Sequence, residues 1–277
     1  MGTPGRPPQF YGGTGVPMVI DHDPAAPASA WTAQRARLRT WLDSLPADQW
    51  GGPTRCGLWD VSKLVRHLAS GSQFLGYTLH KARGGVATTS LKDFDPHGMV
   101  QERAARLGEM TPEEVRDALA SMDASVATEV VAVEKVGWSL MAEAPLGHLP
   151  AHLSINHFLF DSWVHEYDLL VPRGEHPVIE RSEVEVVVTY LMALATVAIG
   201  SETPIDLRLA EPDLQIGVEV MDGEARVTVG SVPSKASVIE GQAVAVVDRT
   251  TGRKGGLVQG DERGLGVLDG FGALLSG

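Results

Sequence analysis

The stretch His157–Phe158–Leu159–Phe160–Asp161–Ser162–Trp163–Val164–His165–Glu166–Tyr167–Asp168 decides how this chain is read. On a helix, positions 157, 161 and 165 recur every four residues and stack along one face, roughly 5–6 Å apart per step. The neighbours Phe158, Leu159, Phe160, Trp163 and Val164 make the same helix a core helix. Two imidazoles and a carboxylate in such company are costly to bury without partners. A divalent cation satisfies all of them at once, so the segment is a candidate metal stripe on a helical scaffold. The plainer alternatives are a hydrogen-bonded core histidine and an Asp–His ion pair worth about 0.2–0.5 kcal/mol.

A catalytic metal commonly takes three protein ligands and leaves a position for water or substrate. Asp161 and His165 can supply two of them from one helical turn. Helical bundles draw such ligands from facing helices, so the third is expected on another rod. His67, beside Leu64, Leu68 and Gly71, is the first candidate, and His157 competes from one turn along the same stripe. Asp168, three residues past His165, stands where it can orient an imidazole or close a helix-end ion pair. Cys56 has no basic or metal-binding neighbour in sequence and reads as a packed thiol. Imidazole and carboxylate donors suit zinc, with nickel, iron and manganese also compatible.

Outward from the stripe, helical periodicity predicts a rod from about Pro27 to Pro46 and a second one N-capped by Asp60 and closing at Gly84. A third helix is expected over Met99–Leu107. A fourth is announced by Thr111, Pro112 and Glu114, which form a capping box with proline at the first helical position, and runs to about Val131. The stripe helix itself spans about Pro150–Leu170. Beyond Gly174 the pattern changes: Ser182 with Glu185 would cap a long apolar helix to Ile199. Short β-type runs follow at 205–209, 214–220, 225–229 and 237–240, with Asp222–Gly223 as a hairpin turn. The expected division is a loose arm over 1–28, a helical bundle over 29–176 and a small α+β domain over 177–277.

The 277 residues are 43% apolar, enough for a sizeable core, and carry a net charge of −12. That balance speaks against nucleic acid or an anionic membrane surface as the principal partner. The longest apolar run, Val184–Ile199, is interrupted by Glu185, Thr189 and Thr196 and reads as too short to span a bilayer. The single cysteine and a start unlike a signal peptide lead to an expected cytoplasmic location.

Several separated segments together resemble one family. Thr54, Cys56, Trp59, Val61, Leu64, His67 and Leu68 follow the T-x-C-x-x-W-x-V-x-x-L-x-x-H-L opening of the mycothiol-dependent maleylpyruvate isomerase family, within the DinB-like superfamily. Pro145, Gly147 and Pro150 are similar to its P-x-G-x-x-P, and Asp161, Trp163, His165, Tyr167, Asp168 and Leu169 to its E-x-W-x-H-x-W-D-L. Thr251–Gly252–Arg253 followed by Gly260–Asp261 resembles its L-x-G-R … G-D segment. The ordered set runs over about residues 30–275.

The resemblance implies a DinB-like four-helix bundle followed by a small α+β sterol-carrier-like domain. It implies a divalent metal held by His67, Asp161 and His165, a low-molecular-weight thiol such as mycothiol as cosubstrate, and a functional arginine at Arg253. The implied activity is that of an isomerase or S-transferase acting on a small carboxylate or secondary metabolite. Metal-assisted tailoring of a secondary metabolite without a thiol, and a degenerate member that only binds a small molecule or partner, are the alternatives. The family glutamate is Asp161 here, one methylene shorter, which sets its oxygens back by roughly 1–1.5 Å where metal–oxygen bonds tolerate little slack.

Overall fold

The computed structural model describes residues 18–92, 110–177 and 179–276. Two compact units divide the chain: Pro24–Ile179 forms one, and Glu180 onwards, with the segment that ends at Asp23, forms the other.

The first unit is built on α1 (Ala26–Ser44), α2 (Val61–Arg83), α3 (Pro112–Val136) and α4 (Ala151–Leu170). Helix α2 packs along α3, α1 along α4, and α4 also meets α2. Leu38, Leu42, Val61, Leu64, Val65, Leu68, Val115, Leu119 and Leu169 interlock as one buried cluster, because each helix turns its apolar stripe inward. Local chemistry sets the starts. The Asp60 carboxylate accepts the Lys63 amide at 2.8 Å, and Thr111 with Glu114 completes a reciprocal capping box. Helix α3 continues five residues past the expected Val131, burying Val133 before it stops at Gly137, whose φ of 134° a side chain would strain. A short hairpin, β2 (Met141–Ala144) with β3 (Gly147–Pro150), precedes α4 and was not foreseen; strands of four residues leave almost no alternation to detect. The helix expected over Met99–Leu107 lies outside the described residues.

In the second unit a six-stranded sheet runs in the order β1–β6–β5–β4–β7–β8. Its strands are β1 (Met18–Ile20), β4 (Ile205–Leu209), β5 (Leu214–Met221), β6 (Glu224–Val229), β7 (Ser237–Gly241) and β8 (Val258–Gly260). β1 lies parallel to β6 and β4 parallel to β7; the other pairs are antiparallel. Alternate residues Ile205, Leu207, Ile216, Val218, Ala225 and Val227 are buried, and α5 (Arg181–Ile199) packs on β1, β5 and β6. Helices α6 (Ala243–Thr250) and α7 (Glu262–Ser276) pack on each other and on α5. Among the described residues α5 is the one helix long and apolar enough to cross a membrane, and 78% of that apolar window is buried within the protein.

Two expectations need correction here. Residues 18–28 are not a loose arm: Met18–Ile20 adds a parallel edge strand to β6, and α1 begins at Ala26. Ser182 does not cap α5; the helix starts at Arg181 with Glu180 at the cap position and no side-chain cap.

Candidate metal centre

Helix α2 carries His67 near its middle and α4 carries Asp161 and His165, and the contact between the two helices brings these side chains together. His67 Nε2 lies 3.4 Å from Asp161 Oδ2, and His165 Nε2 lies 3.5 Å from Asp161 Oδ1. Each carboxylate oxygen thus faces one imidazole. The two rings stand edge to face with centroids 5.0 Å apart, and one ligand atom from each residue lies within 4.8 Å of the other two. The Trp59 indole, on the loop before α2, covers both: its centroid is 5.0 Å from the His67 ring and 6.3 Å from the His165 ring. The site keeps some access, with side-chain exposures of 25% at His67, 31% at Asp161 and 12% at His165.

Burial alone would raise the Asp161 pKa, but the imidazoles of His67 and His165, helped by His157, reverse this and hold the carboxyl well below its usual range. His67 Nε2 is buried, and its approach to Asp161 Oδ2 at 3.4 Å is longer than an ordinary hydrogen bond. His157 does not join the group of converging donors; its ring lies against Phe158 and Phe160, and burial pushes its pKa down to about 4.

A second set of groups grips His165 from behind. Its Nδ1 is 2.9 Å from Asp168 Oδ2, and Asp168 is fully buried. Arg55 donates through Nε to Asp168 Oδ1 at 2.9 Å, and its backbone amide donates to the Asp168 carbonyl at 3.1 Å. The Cys56 thiol donates to Asp168 Oδ2 at 3.1 Å and lies 3.7 Å from His165 Nδ1. Cys56 packs against the core cluster of the helices, as expected of a packed thiol, and in addition meets a basic and an acidic partner that its sequence neighbours do not supply. That context comes from α4, more than a hundred positions away, and the sequence signals for it were the place of Cys56 in the same loop as Trp59 and in the T-x-C-x-x-W motif.

Helix α4 is held against α1 by a second polar cluster. Arg37 donates to Glu166 through Nε at 2.9 Å and Nη2 at 2.7 Å, Gln34 donates to Glu166 Oε2 at 3.0 Å, and Ser162 donates to Gln34 Oε1 at 2.7 Å. Arg253 belongs to the other unit, where it is part-buried after α6; its amide donates to the Asp248 carbonyl at 2.7 Å and its Nη1 to the Thr251 carbonyl at 3.3 Å.

The fold is similar to that of two crystal structures, the mycothiol-dependent maleylpyruvate isomerase and a point mutant of it. Each matches with a TM-score of 0.61 and 17% identity over 88% of this chain and 95% of theirs. Two uncharacterized proteins of Mycobacterium tuberculosis, from two strains, are 27% identical over 134 residues. That alignment takes in 48% of this chain, which spans only 60% of the relatives' length. Residues 31–170, which run from within α1 to the end of α4 and include every residue of the converging site, match the family model described as the mycothiol maleylpyruvate isomerase N-terminal domain, and the chain belongs to that family.

Proposed function

We propose that this protein is a metal-dependent enzyme that works with a low-molecular-weight thiol of the mycothiol type, as an isomerase or S-transferase on a small carboxylate-bearing substrate. The donor spacing carries the proposal. Tetrahedral donors at about 2.0–2.1 Å from zinc stand about 3.3–3.4 Å from one another; the two imidazole–carboxylate approaches are 3.4 and 3.5 Å. The buried Nε2 of His67 faces Asp161 Oδ2 at 3.4 Å, longer than an ordinary N–H···O bond, and a cation between them would meet both groups. His67, Asp161 and His165 would hold the ion, and zinc suits the donor set.

The shorter acid at position 161 fits this arrangement, since its carboxylate already reaches both rings. That favours a metal-holding member over a degenerate, non-catalytic one. A metal bound there would supply Lewis acidity, lowering the pKa of a thiol or polarising a substrate oxygen. Asp168 keeps the proton of His165 on Nδ1 and so turns Nε2 toward Asp161. Trp59 shields the rings from water on one side, which strengthens the electrostatics among them. Arg253 enters through the family resemblance, as a partner for a carboxylate of substrate or thiol. We likewise read Pro24–Ile179 as a DinB-type bundle and the sheet unit as sterol-carrier-like, and place the activity in a reducing cytoplasm where such a thiol is available.

Elemental analysis of the purified full chain, followed by turnover assays with and without added thiol, tests this. The expected result is about one zinc per chain and turnover that requires the thiol. Metal-free protein whose melting does not shift on added zinc would overturn the metal reading, and turnover indifferent to thiol would leave thiol-independent tailoring in its place.

A further inference from the structure

Behind the His165 ring, Cys56 Sγ, His165 Nδ1 and Asp168 Oδ2 converge: Sγ–Oδ2 is 3.1 Å, Sγ–Nδ1 3.7 Å and Nδ1–Oδ2 2.9 Å. These three donors meet as closely as the pair of imidazoles and the acid on the other side of the same ring. We propose that Cys56, His165 and Asp168 form a second cation site, selective for a thiophilic divalent ion such as cadmium, and that filling it takes His165 away from His67 and Asp161.

The geometry comes close to what such an ion asks for. For a tetrahedral ion of zinc's size, with sulfur at about 2.3 Å and nitrogen or oxygen at about 2.0–2.1 Å, sulfur–nitrogen and sulfur–oxygen pairs stand about 3.5–3.6 Å apart and nitrogen–oxygen pairs about 3.3 Å, and the larger cadmium asks each pair to open somewhat further. Each observed distance lies within about half an ångström of these values, inside the reach of small side-chain rotations. The frame around the donors is firm. Arg55 donates to Asp168 Oδ1, and Oδ2 faces the thiol and the ring. Thr54 Oγ1 donates to the carbonyls of Cys56 at 3.1 Å and Trp59 at 2.7 Å, and accepts the Cys56 amide at 3.0 Å, which holds the sulfur-bearing turn in place. Cys56 is partly exposed, so an ion can reach it. A thiolate selects soft cations, whereas the imidazole–carboxylate set opposite does not.

The coupling between the two sites follows from the ring. A neutral imidazole offers one lone pair. With the proton on Nδ1, shared with Asp168, Nε2 serves the His67 side. A cation at Nδ1 moves that proton to Nε2, where it points at Asp161 and closes the first site. This coupling rests on the metal reading of His67, Asp161 and His165; the thiophilic site does not.

Cadmium titrated into the purified full chain tests both. The thiolate-to-cadmium ultraviolet absorption reports the new site, and a chromophoric chelator reports released zinc. Cys56 is the single cysteine, so any such absorption comes from it. The expected result is an absorption that saturates at about one cadmium per chain, zinc leaving in step. In Cys56→Ser the absorption is lost and zinc leaves only at cadmium concentrations at least ~10-fold higher. His67→Ala should keep the absorption while lacking zinc, and it decides the second site even if the protein carries no zinc. Zinc displaced without thiolate absorption, or an absorption whose cadmium affinity is unchanged in His165→Ala, overturns the proposed site. Absorption with zinc fully retained upholds the site and overturns the coupling.

Discussion

His165 is held at both ends: Nδ1 stands 2.9 Å from Asp168 Oδ2, while Nε2 stands 3.5 Å from Asp161 Oδ1. Asp168 is fully buried and paired with Arg55, so it remains a carboxylate and accepts the Nδ1 proton. The tautomer, assigned from this network, presents a lone pair to the His67 side.

Asp168→Asn should therefore weaken metal binding without unfolding the protein. An asparagine can turn its amide N–H toward Nδ1, which would favour the opposite tautomer and place a proton where the metal should sit. A loss of about 10–100-fold in zinc affinity is expected from competition with a chelator, while the helical circular dichroism is retained. Unchanged affinity would show that Asp168 serves the helix end alone.

The two histidines flanking Asp161 should separate cleanly. His165→Ala removes a donor from the converging set and should abolish zinc retention through gel filtration. His157 points its ring at Phe158 and Phe160, outside that set, so His157→Ala should keep most of the metal. The reverse pattern would mean that the stripe is used one turn earlier.

His157 should instead appear in the pH dependence of stability. Burial holds its pKa down at about 4, only partly offset by Asp161. The unfolded chain, with an ordinary histidine near 6.5, takes up the proton first as the pH falls. The contribution is complete above about pH 6.5 and is lost progressively toward pH 4, about 2 kcal/mol of it between pH 7 and 5. Asp161, whose pKa is lowered, keeps its contribution through that window and gives it up only at more acid pH. Urea unfolding of the chelator-treated protein at pH 7 and 5 should show a smaller loss in His157→Gln than in wild type. Equal losses would place the titrating group elsewhere.

What could be read from the sequence was what local chemistry determines. The Asp60 cap of α2 and the Thr111–Glu114 box of α3 act over three residues, and both helices begin where those signals stand. The four-residue spacing of Asp161 and His165 needed only one helix. His67 as their partner needed the further idea that helices of a bundle face one another, and the family resemblance gave the same residue. Several features escaped, the β2–β3 hairpin among them. Met18–Ile20 is too short to show alternation, and its partner β6 begins at Glu224. Ser182 looked like a cap because serine and glutamate at that spacing often are, but the helix starts one residue earlier. The contacts of Cys56 with His165 and Asp168 cross 109 and 112 positions, a separation that no local pattern reports.

The clamp between α1 and α4 gives a prediction about what fixes the site in space. Glu166 is 1% exposed and receives two hydrogen bonds from Arg37, whose own side chain is 23% exposed. Removing the cation takes away the Arg37 partner of a buried carboxylate next to the candidate metal stripe, whereas removing both charges takes that carboxylate away as well. Arg37→Met should therefore cost about 3 kcal/mol of unfolding free energy, near the low end for breaking a buried pair because Arg37 is partly solvated. The double variant Arg37→Met with Glu166→Leu should recover more than half of that loss in chemical denaturation. Below its own melting range the single variant should still hold zinc, since neither side chain is among the converging donors. If the double variant is no more stable than the single one, the pair acts through packing of the long side chains and not through the buried charge.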